Sequence, residues 1–379
     1  MSLVIGVIKE TAPGERRVAL DPTAVGKLLG QGHQVMIERG AGTAAGFAED
    51  HEAWVNAQWV EDPHEVAKAA DVLVCVRRPT AEILASLKSG AVVLGQLQPH
   101  LALDDLVKAP TEAVSMVAME LVPRITRAQA MDVLSSQATV AGYKAVILAA
   151  ECSPRLFPML TTAAGTLRPA KAVVVGAGVA GLQAIATCRR LGAQVEAYDI
   201  RKAAREQVES LGAVMIDTGV DAESEGGYAR ELTDDEKQQQ ADVLAQHLAK
   251  ADVVITTAAI PGRPAPKIIT QAMVEGMRAG SVIVDMAAES GGNCELTQLG
   301  ETVDVNGVLI QGPTNLPSMA PLHASEMYAK NVSNLLALMI DDASIQIDQD
   351  DEVIAGCLLI HQGQVIHPSF VANTSKEPN

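Results

Sequence analysis

The sequence predicts an α/β fold class with parallel sheets, and three observations support this. Short apolar segments alternate with helix-like segments, and the alternation occurs in two successive series. Apolar runs without polar alternation are typical of parallel strands that are buried on both faces. Two long helical segments flank the second series. We therefore expect two Rossmann-like domains, the second inserted into the first and linked to it by long helices.

The first series lies in the N-terminal third of the chain. Pro22 suits the first turn of a helix, and Gly30 and Gly32 suit its end, so a helix is predicted over residues 22–31. A second helix is predicted over residues 63–70. The apolar segments predict strands at residues 3–8, 34–38, 71–76, 91–97 and 115–120.

The second series begins near Lys171, and a polar, acidic, glycine-containing stretch at 220–240 predicts an exposed, mobile loop followed by a helix. Long helices are predicted over residues 127–151 and 322–339, with a short strand-like tail after them. The predicted strands are 172–176, 194–199, 213–217, 252–257, 281–287 and 307–311. The expected boundaries are 1–135 plus 320–379 for domain one and 136–319 for domain two.

The composition predicts an aliphatic core and no membrane span. Apolar residues make up 48% of the chain, but it has only two Trp, four Tyr and three Phe. Ala, Val, Leu, Ile and Met must therefore fill the interior. No apolar run approaches the roughly 18–20 residues that cross a bilayer, so direct membrane insertion is not expected. The N-terminal apolar segment runs into Lys9 and Glu10, which argues against a secretory signal.

The charge and the cysteines exclude further classes. A formal net charge of −17 argues against binding to nucleic acid and against adhesion to anionic lipid, and it fits an acidic cytosolic surface. The five cysteines are scattered, without a Cys-x-x-Cys pair or a nearby His at ligand spacing. We expect neither disulfides nor a structural metal, and we expect Cys75 and Cys188 to be buried thiols.

A glycine-rich loop between an apolar strand and a helix predicts a dinucleotide site. The segment Gly176-Ala-Gly-Val-Ala-Gly181 has the Gly-x-Gly-x-x-Gly spacing. Gly176 permits a tight turn, Gly178 lets backbone approach a pyrophosphate, and Gly181 allows close helix packing. Val179 and Ala180 begin the helix, whose free N–H groups and dipole favour phosphate.

Asp199 predicts which dinucleotide binds. It ends the next predicted strand, where a carboxylate can accept hydrogen bonds from both ribose hydroxyls of the adenosine. A carboxylate there repels a 2′-phosphate, so NAD(H) is favoured over NADP(H). Arg201 is two residues away and would weaken that preference.

A polar segment upstream of the glycine loop predicts a second group of functional side chains. Thr126 and Gln129 fit a capping box, so a helix is predicted to begin at Thr126. Gln129, Asp132 and Ser135 then follow at three-residue steps and would share one stripe of that helix. The spacing alone favours an ordinary amphipathic helix with a capping Gln.

The sequence resembles the NAD(H)-binding component, domain I, of proton-translocating transhydrogenase. The resemblance is strongest over Met119-Glu-Leu-Val-Pro-Arg-Ile-Thr-Arg-Ala-Gln-Ala-Met-Asp-Val-Leu-Ser-Ser-Gln137. It extends over essentially the whole chain. The other matching segments are 9–10, 13–19, 141–146, 161–165, 176–184, 206–212, 226–229, 256–262 and 291–294.

The resemblance implies the roles of individual residues. Arg124, Gln129, Asp132 and Ser135 would hold and orient the nicotinamide, with the Gln129 amide able to pair with a carboxamide. Tyr228 would close over the bound nucleotide and complete the catalytic set. Beside the glycine loop, the implied cofactor-binding residues are Arg124, Gln129, Ala130, Met131, Asp132, Ser135, Asp199, Ile200, Arg201, Gly227, Tyr228 and Ala259.

The resemblance also implies the reaction and the partners. Hydride would pass between NAD(H) on this chain and NADP(H) on a partner, domain III, in the Si-specific/Re-specific transhydrogenase reaction, while membrane-spanning subunits translocate protons. Because the chain stops in a polar tail, it looks like the separate, soluble first chain of a divided alpha subunit. We expect a homodimer that is soluble when isolated and peripheral to the cytoplasmic side of the inner membrane.

Alanine dehydrogenase is related in fold and is the alternative function. That enzyme uses a lysine and a histidine in domain one to handle its amino acid and oxo acid. The corresponding positions carry Arg77 and Gln98 here, with His100 two residues away from Gln98. Without that pair, amine chemistry on an oxo acid lacks its proton donor. A non-catalytic NAD-binding protein is the remaining alternative.

Overall fold

The fold is described from a computed structural model, which covers residues 2–201, 203–220, 233–259, 262–341 and 344–374. Over these ranges the strands are β1 Val4–Val7, β2 Gln34–Glu38, β3 Gln58–Val60, β4 Val72–Arg77, β5 Val92–Gln96, β6 Ser115–Ala118, β7 Leu160–Thr162, β8 Gly165–Leu167, β9 Lys171–Val175, β10 Gln194–Tyr198, β11 Val214–Met215, β12 Val253–Thr256, β13 Val282–Asp285, β14 Thr302–Val305, β15 Val308–Gln311, β16 Ile340–Asp341, β17 Ser344–Ile345, β18 Leu358–His361 and β19 Gln364–Val365.

The helices in the same ranges are α1 Pro22–Gly30, α2 Pro63–Ala69, α3 Ala81–Ala85, α4 Pro99–Lys108, α5 Val133–Cys152, α6 Val179–Arg190, α7 Ala204–Ser210, α8 Asp234–Leu248, α9 Gln271–Glu275, α10 Pro321–Met339, α11 Glu352–Cys357 and α12 Pro368–Thr374. Short 3₁₀ segments lie at Thr43–Ala45, Met119–Leu121, Thr126–Met131, Ala288–Ser290 and Leu316–Met319. The chain divides into two compact units. Unit 1 is Met1–Gln137 with Ser318–Asn379, and unit 2 is Ala138–Pro317.

Unit 1 is built on an eight-stranded sheet in the order β19-β18-β6-β5-β4-β1-β2-β3. The six neighbouring strands β6, β5, β4, β1, β2 and β3 are all parallel. The strand order reverses between β1 and β4. Ligands of open α/β sheets bind at such a reversal. The C-terminal segment returns to this sheet, because β18 pairs antiparallel with β6.

Unit 2 is built on a seven-stranded sheet in the order β11-β10-β9-β12-β13-β15-β14. β14 pairs antiparallel with β15, whereas the other pairs are parallel. Here the order reverses between β9 and β12, the strand that precedes the glycine loop and its neighbour. The predicted fold class, α/β with parallel-rich Rossmann-like sheets, is confirmed.

The helix starts follow the local capping signals. Asp21 precedes Pro22 and accepts a hydrogen bond from the Ala24 N–H at 2.9 Å, so α1 begins where the sequence predicts. Thr233 and Glu236 form a reciprocal capping box at the start of α8. The loop predicted before α8 falls at residues 221–232, which lie outside the described ranges.

Aliphatic side chains fill both faces of each sheet, as the composition predicts. Cys75 and Cys188 are fully buried, which confirms their predicted environment. Unit 1 also buries Trp54, whose indole N–H donates to the Ala48 carbonyl at 2.7 Å. Tyr328 on α10 is fully buried and donates to the Cys75 carbonyl at 2.8 Å, which fixes α10 against β4.

α5, Val133–Cys152, is a long and largely apolar helix. Among the described helices it alone has the length and apolar composition to cross a membrane. However, Ala145, Val146 and Ala149 are fully buried in the core of unit 2. This is the pattern of a core helix.

Candidate nucleotide-binding site

The glycine loop of unit 2 has the geometry that its sequence predicts. Gly176 has a φ of +96°, and a Cβ there would lie 2.5 Å from the Thr257 hydroxyl. A Cβ at Gly181 would lie 1.9 Å from the Gly176 carbonyl oxygen. A Cβ at Gly178, in contrast, would meet no atom within 4 Å. Two glycines are therefore required by the fold, and Gly178 borders open space that fits a pyrophosphate.

The N terminus of α6 faces this open space. Gly178 is the residue before the helix and makes no side-chain cap, and the first turn contains no acidic residue. Val179 is exposed and Ala180 is half-buried. The first-turn N–H groups and the positive end of the helix dipole are thus available to an anion. The loop fits the phosphates of a dinucleotide.

Asp199 follows β10 and is held beside the glycine loop. It accepts a hydrogen bond from the Ala177 N–H at 2.7 Å, and Arg201 donates to both carboxylate oxygens at 3.0 and 2.9 Å. Burial raises the pKa of Asp199, but the hydrogen bonds from Arg201 and Ala177 outweigh it, so the net shift is downward. Ile200 beside it is exposed. The carboxylate is therefore ionised and lies beside the glycine loop.

Two further loops of unit 2 support the glycine loop through Thr257, after β12, and Asn293, after β13, and the sequence patterns gave neither residue a role. Thr257 donates to the Gly176 carbonyl at 3.0 Å. Asn293 is fully buried; its amide donates to the Ala258 carbonyl at 2.7 Å and accepts from the Ala258 N–H at 3.0 Å. Ala259 follows and is exposed. Gly227 and Tyr228 lie outside the described residues.

The polar segment predicted as one helix has a different structure in unit 1. Thr126–Met131 is a 3₁₀ segment without a side-chain cap, and α5 begins only at Val133. Asp132 has ψ 93°, which interrupts the helix. The prediction of a helix that begins at Thr126 and of a single stripe through Gln129, Asp132 and Ser135 is therefore wrong.

The interruption has a local cause. Asp132 accepts hydrogen bonds from the Ser135 N–H at 2.9 Å and the Ser135 hydroxyl at 2.6 Å, so Asp132 caps α5. The structure thus brings these two predicted site residues together. Arg124, Gln129 and Ala130 are exposed, whereas Met131 is 7% exposed and packs in the core of unit 1. A contact from Met131 to a cofactor would therefore come from its backbone.

A buried ionic cluster in unit 1 was also not revealed by the sequence patterns. Arg17 donates from Nε and Nη2 to the two oxygens of Glu15, at 2.8 and 2.7 Å, and both side chains are buried. Arg77 donates to the same carboxylate at 3.1 Å. The Ser318 hydroxyl is a third donor, at 3.0 Å. An internal carboxylate thus binds both arginines.

Arg77 and Gln98 stand at the two positions where the alternative function requires a lysine and a histidine. They are not an acid–base pair, because neither an arginine nor a glutamine side chain exchanges a proton near neutral pH. Gln98 is exposed, has a left-handed backbone, and its N–H donates to Glu120 at 2.5 Å. The nearby His100 ring packs against Phe370, with centroids 4.8 Å apart. Arg77 at the lysine position binds Glu15.

Sequence models of one family match both halves of the chain. Residues 6–141 match the N-terminal domain of alanine dehydrogenase/PNT, and residues 145–368 match its C-terminal domain. The chain is 44% identical over 380 aligned residues to a chain of the NAD(P) transhydrogenase subunit alpha of Rhodospirillum rubrum, and the alignment covers 97% of this chain and 98% of that one. The chain belongs to the alanine dehydrogenase/PNT family. The resemblance inferred from the sequence is confirmed.

Solved structures of the alanine dehydrogenase/PNT family have the same fold. The transhydrogenase of Sinorhizobium meliloti aligns with a TM-score of 0.84 and 43% identity, over 97% of this chain and 100% of that one. An L-alanine dehydrogenase aligns with a TM-score of 0.80 and 25% identity, over 97% and 98%. Because transhydrogenase and alanine dehydrogenase share this fold, the fold does not distinguish the two activities. The side chains of the site must distinguish them.

Proposed function

We propose that this chain is the NAD(H)-binding subunit of a proton-translocating transhydrogenase. In this proposal hydride passes directly between NAD(H) on this chain and NADP(H) on a partner domain, and membrane subunits couple the transfer to protons. The similarity over 97% of the chain to a protein named as an NAD(P) transhydrogenase alpha subunit supports it.

The observation that carries the proposal is the Glu15 cluster. An enzyme that reduces an oxo acid needs a cation for the substrate carboxylate and a group that supplies a proton. Arg17 and Arg77 already bind the buried Glu15 carboxylate. Gln98 replaces the expected histidine. The site is therefore better suited to a reaction that needs no substrate carboxylate and no acid–base pair.

Direct hydride transfer between nicotinamides is such a reaction. Bound NAD(H) supplies the hydride donor or acceptor, and no proton changes place at this chain. The protein must hold the ring so that the reacting carbons approach to roughly 3–3.5 Å. In the proposal, the glycine loop binds the pyrophosphate and Asp199 binds the ribose. Arg124, Gln129, Asp132 and Ser135 then orient the nicotinamide.

The partners follow from the same proposal. An NADP(H)-binding domain must bring the second nicotinamide, and membrane-spanning subunits must carry the protons. This chain would bind peripherally on the cytoplasmic side of the membrane. We also propose a homodimer, because the β7–β8 hairpin is exposed throughout and carries Leu160 and Leu167 at 41% and 55% exposure.

Hydride exchange tests the function. The purified chain is mixed with the NADP(H)-binding domain of a transhydrogenase, and oxidation of NADH is followed with NADP⁺ bound to the partner. We expect rapid exchange that requires both proteins. Absence of exchange at saturating NADH would overturn the proposal.

A parallel assay with pyruvate, ammonium and NADH tests the alternative. Formation of alanine would identify an amino-acid dehydrogenase. NADH binding with neither activity would identify a non-catalytic nucleotide-binding protein. We expect binding and exchange, without alanine formation.

A further inference from the structure

We propose that Asn331 is a positioning residue, which fixes the carbonyl of Ala130 and thereby holds Gln129 toward the nicotinamide. This inference rests on the proposed function. Asn331 lies on α10, far along the chain from the Thr126–Met131 segment, and both belong to unit 1. It would act through the backbone of the segment and would not touch the cofactor.

Two asparagines of α10 converge on one carbonyl. The Asn331 amide donates to the Ala130 oxygen at 2.8 Å, and the Asn334 amide donates to the same oxygen at 3.0 Å. Asn331 is 6% exposed, whereas Asn334 is half-buried. Two donors saturate both lone pairs of the carbonyl. The peptide between Ala130 and Met131 is therefore fixed in orientation, directly after Gln129.

The hydrogen bonds of Asn331 fix which side of its amide faces the carbonyl. A carbonyl oxygen only accepts, so Nδ2 must point to Ala130 and Oδ1 away from it. Oδ1 accepts from the Ser136 hydroxyl at 2.7 Å, and the same hydroxyl lies 3.2 Å from the Val133 carbonyl. Ser136 also accepts from the Gln137 amide at 3.3 Å, whose oxygen accepts from Arg17 at 2.8 Å. Asn331 is therefore bonded at both ends of its amide and linked to the side chains around Glu15.

The segment has few other bonds that would hold Gln129. It is a 3₁₀ helix without a side-chain cap. Its own bond from the Asp132 N–H to the Gln129 carbonyl is long, at 3.3 Å. At the other end, Arg127 donates to both oxygens of Asp351 at 2.7 Å, on the surface. The Ala130 carbonyl is therefore the main anchor next to Gln129, and its donor Asn331 is buried.

The substitution Asn331→Asp tests the anchor without changing the volume of the side chain. A carboxylate would still accept from Ser136, but it would repel the Ala130 carbonyl. Ser325→Ala is the matched control on the same helix. Ser325 is fully buried, accepts from the Val18 N–H at 3.0 Å and donates to the Pro321 carbonyl at 2.6 Å, so these bonds lead away from the 126–131 segment. Both variants lose buried hydrogen bonds of α10.

The readouts are hydride exchange with the NADP(H)-binding domain, NADH affinity, and amide hydrogen exchange of residues 126–132. For Asn331→Asp we expect the rate to fall roughly ten- to a hundredfold, because a displacement of about 1 Å has an effect of that order. NADH affinity should change less than about threefold, and amide exchange of the segment should accelerate. Ser325→Ala should leave all three readouts near those of the unsubstituted chain.

A rate that stays normal in Asn331→Asp while the unsubstituted chain transfers hydride would overturn this inference alone. Equal losses of rate and affinity, or the same losses in Ser325→Ala, would also overturn it, since they indicate general destabilisation. If the unsubstituted chain transfers no hydride, the proposed function fails, and the positioning role for that reaction fails with it. Asn334→Asp should give a smaller effect in the same direction.

Discussion

At the scale of single residues, we propose that Asp199 determines the choice of nucleotide. Its carboxylate is ionised, lies at the end of β10, and is bound by Arg201 through both oxygens. In this proposal a ribose with two hydroxyls would replace the arginine as donor, whereas a 2′-phosphate would be repelled. Removal of the charge would also free Arg201, which could then bind a 2′-phosphate.

We predict that Asp199→Asn narrows the preference for NADH over NADPH by at least about tenfold, since hydrogen bonds to a charged group contribute about 1.5–3 kcal/mol. Fluorescence titration with both nucleotides measures the ratio. In the double variant with Arg201→Gln, any gain in NADPH affinity should disappear. An unchanged ratio in Asp199→Asn would contradict the proposed role.

Gln129 should affect the reaction more than the binding. Its side chain is exposed, and its backbone lies next to the anchored Ala130 carbonyl. We predict that Gln129→Ala slows hydride exchange at least about tenfold, because orientation is the main contribution of the protein to this transfer. NADH affinity should fall much less. Equal losses in both measurements would refute a positioning role for the amide.

Glu10 predicts a dependence of stability on pH. Burial raises its pKa to about 7, although hydrogen bonds from the Val76 and Arg77 N–H groups oppose the shift. The folded state therefore binds a proton that the unfolded state has lost between its ordinary pKa and about 7. The contribution to stability is fully present below the unfolded pKa and is lost as pH rises through the folded pKa.

We predict that the free energy of unfolding falls as pH rises from about 5 to about 8, and that Glu10→Gln reduces this slope. Urea denaturation at several pH values gives the slope directly. Glu52→Gln is the control, because Glu52 is exposed in the same unit. The same slope in Glu10→Gln and the unsubstituted chain would count against a titrating Glu10.

At the scale of elements, the start of α5 marks the limit of what the sequence could predict. Thr126 and Asp132 are both good capping residues, and local patterns do not decide between them. In the structure Asp132 caps α5, because the preceding segment is held by hydrogen bonds from residues that are distant in sequence. Those bonds come from Asn331, Asn334 and Asp351, more than 200 residues along the chain. The local sequence pattern therefore could not predict where α5 begins.

Other elements were predictable because their signals are local. The glycine loop, its flanking strand and Asp199 all depend on turn chemistry and on the packing of adjacent segments, and the sequence patterns identified them. Asn293 and Thr257 lie in segments that the resemblance covers, but no role was predicted for them, because each acts on a loop that is distant in sequence. Glu15 was missed for the same reason. Its role appears only when Arg17 and Arg77 are placed around it.

The cap at Asp132 makes a prediction at this scale. Asp132→Ala should lower the free energy of unfolding by roughly 1 kcal/mol, because the Ser135 N–H loses its acceptor. Asp132→Asn retains an acceptor and should be nearly as stable as the unsubstituted chain. Chemical denaturation of the two variants checks this. Similar losses for both would indicate that the negative charge, and not the cap, stabilises α5.

At the scale of the whole molecule, the β7–β8 hairpin is the candidate interface of the proposed homodimer. It forms a sheet of only two strands, and all six of its strand residues are exposed. Leu156 and Met159, just before it, are also exposed, at 52% and 64%. A two-stranded hairpin is marginally stable alone, and a cluster of exposed large apolar side chains is typical of an interaction surface. A second copy of the chain is the partner that the proposed homodimer supplies.

We therefore predict that the double substitution Leu160→Asp and Leu167→Asp converts the proposed homodimer to a monomer. Two carboxylates would have to be buried without partners in the interface, which costs several kcal/mol per ion. Light scattering after size exclusion should show the molar mass falling from twice 39.7 kDa to that of one chain. Leu299→Asp is the control, because Leu299 is 54% exposed in the same unit and lies outside the hairpin. A dimer that survives the double substitution would place the interface elsewhere on the surface.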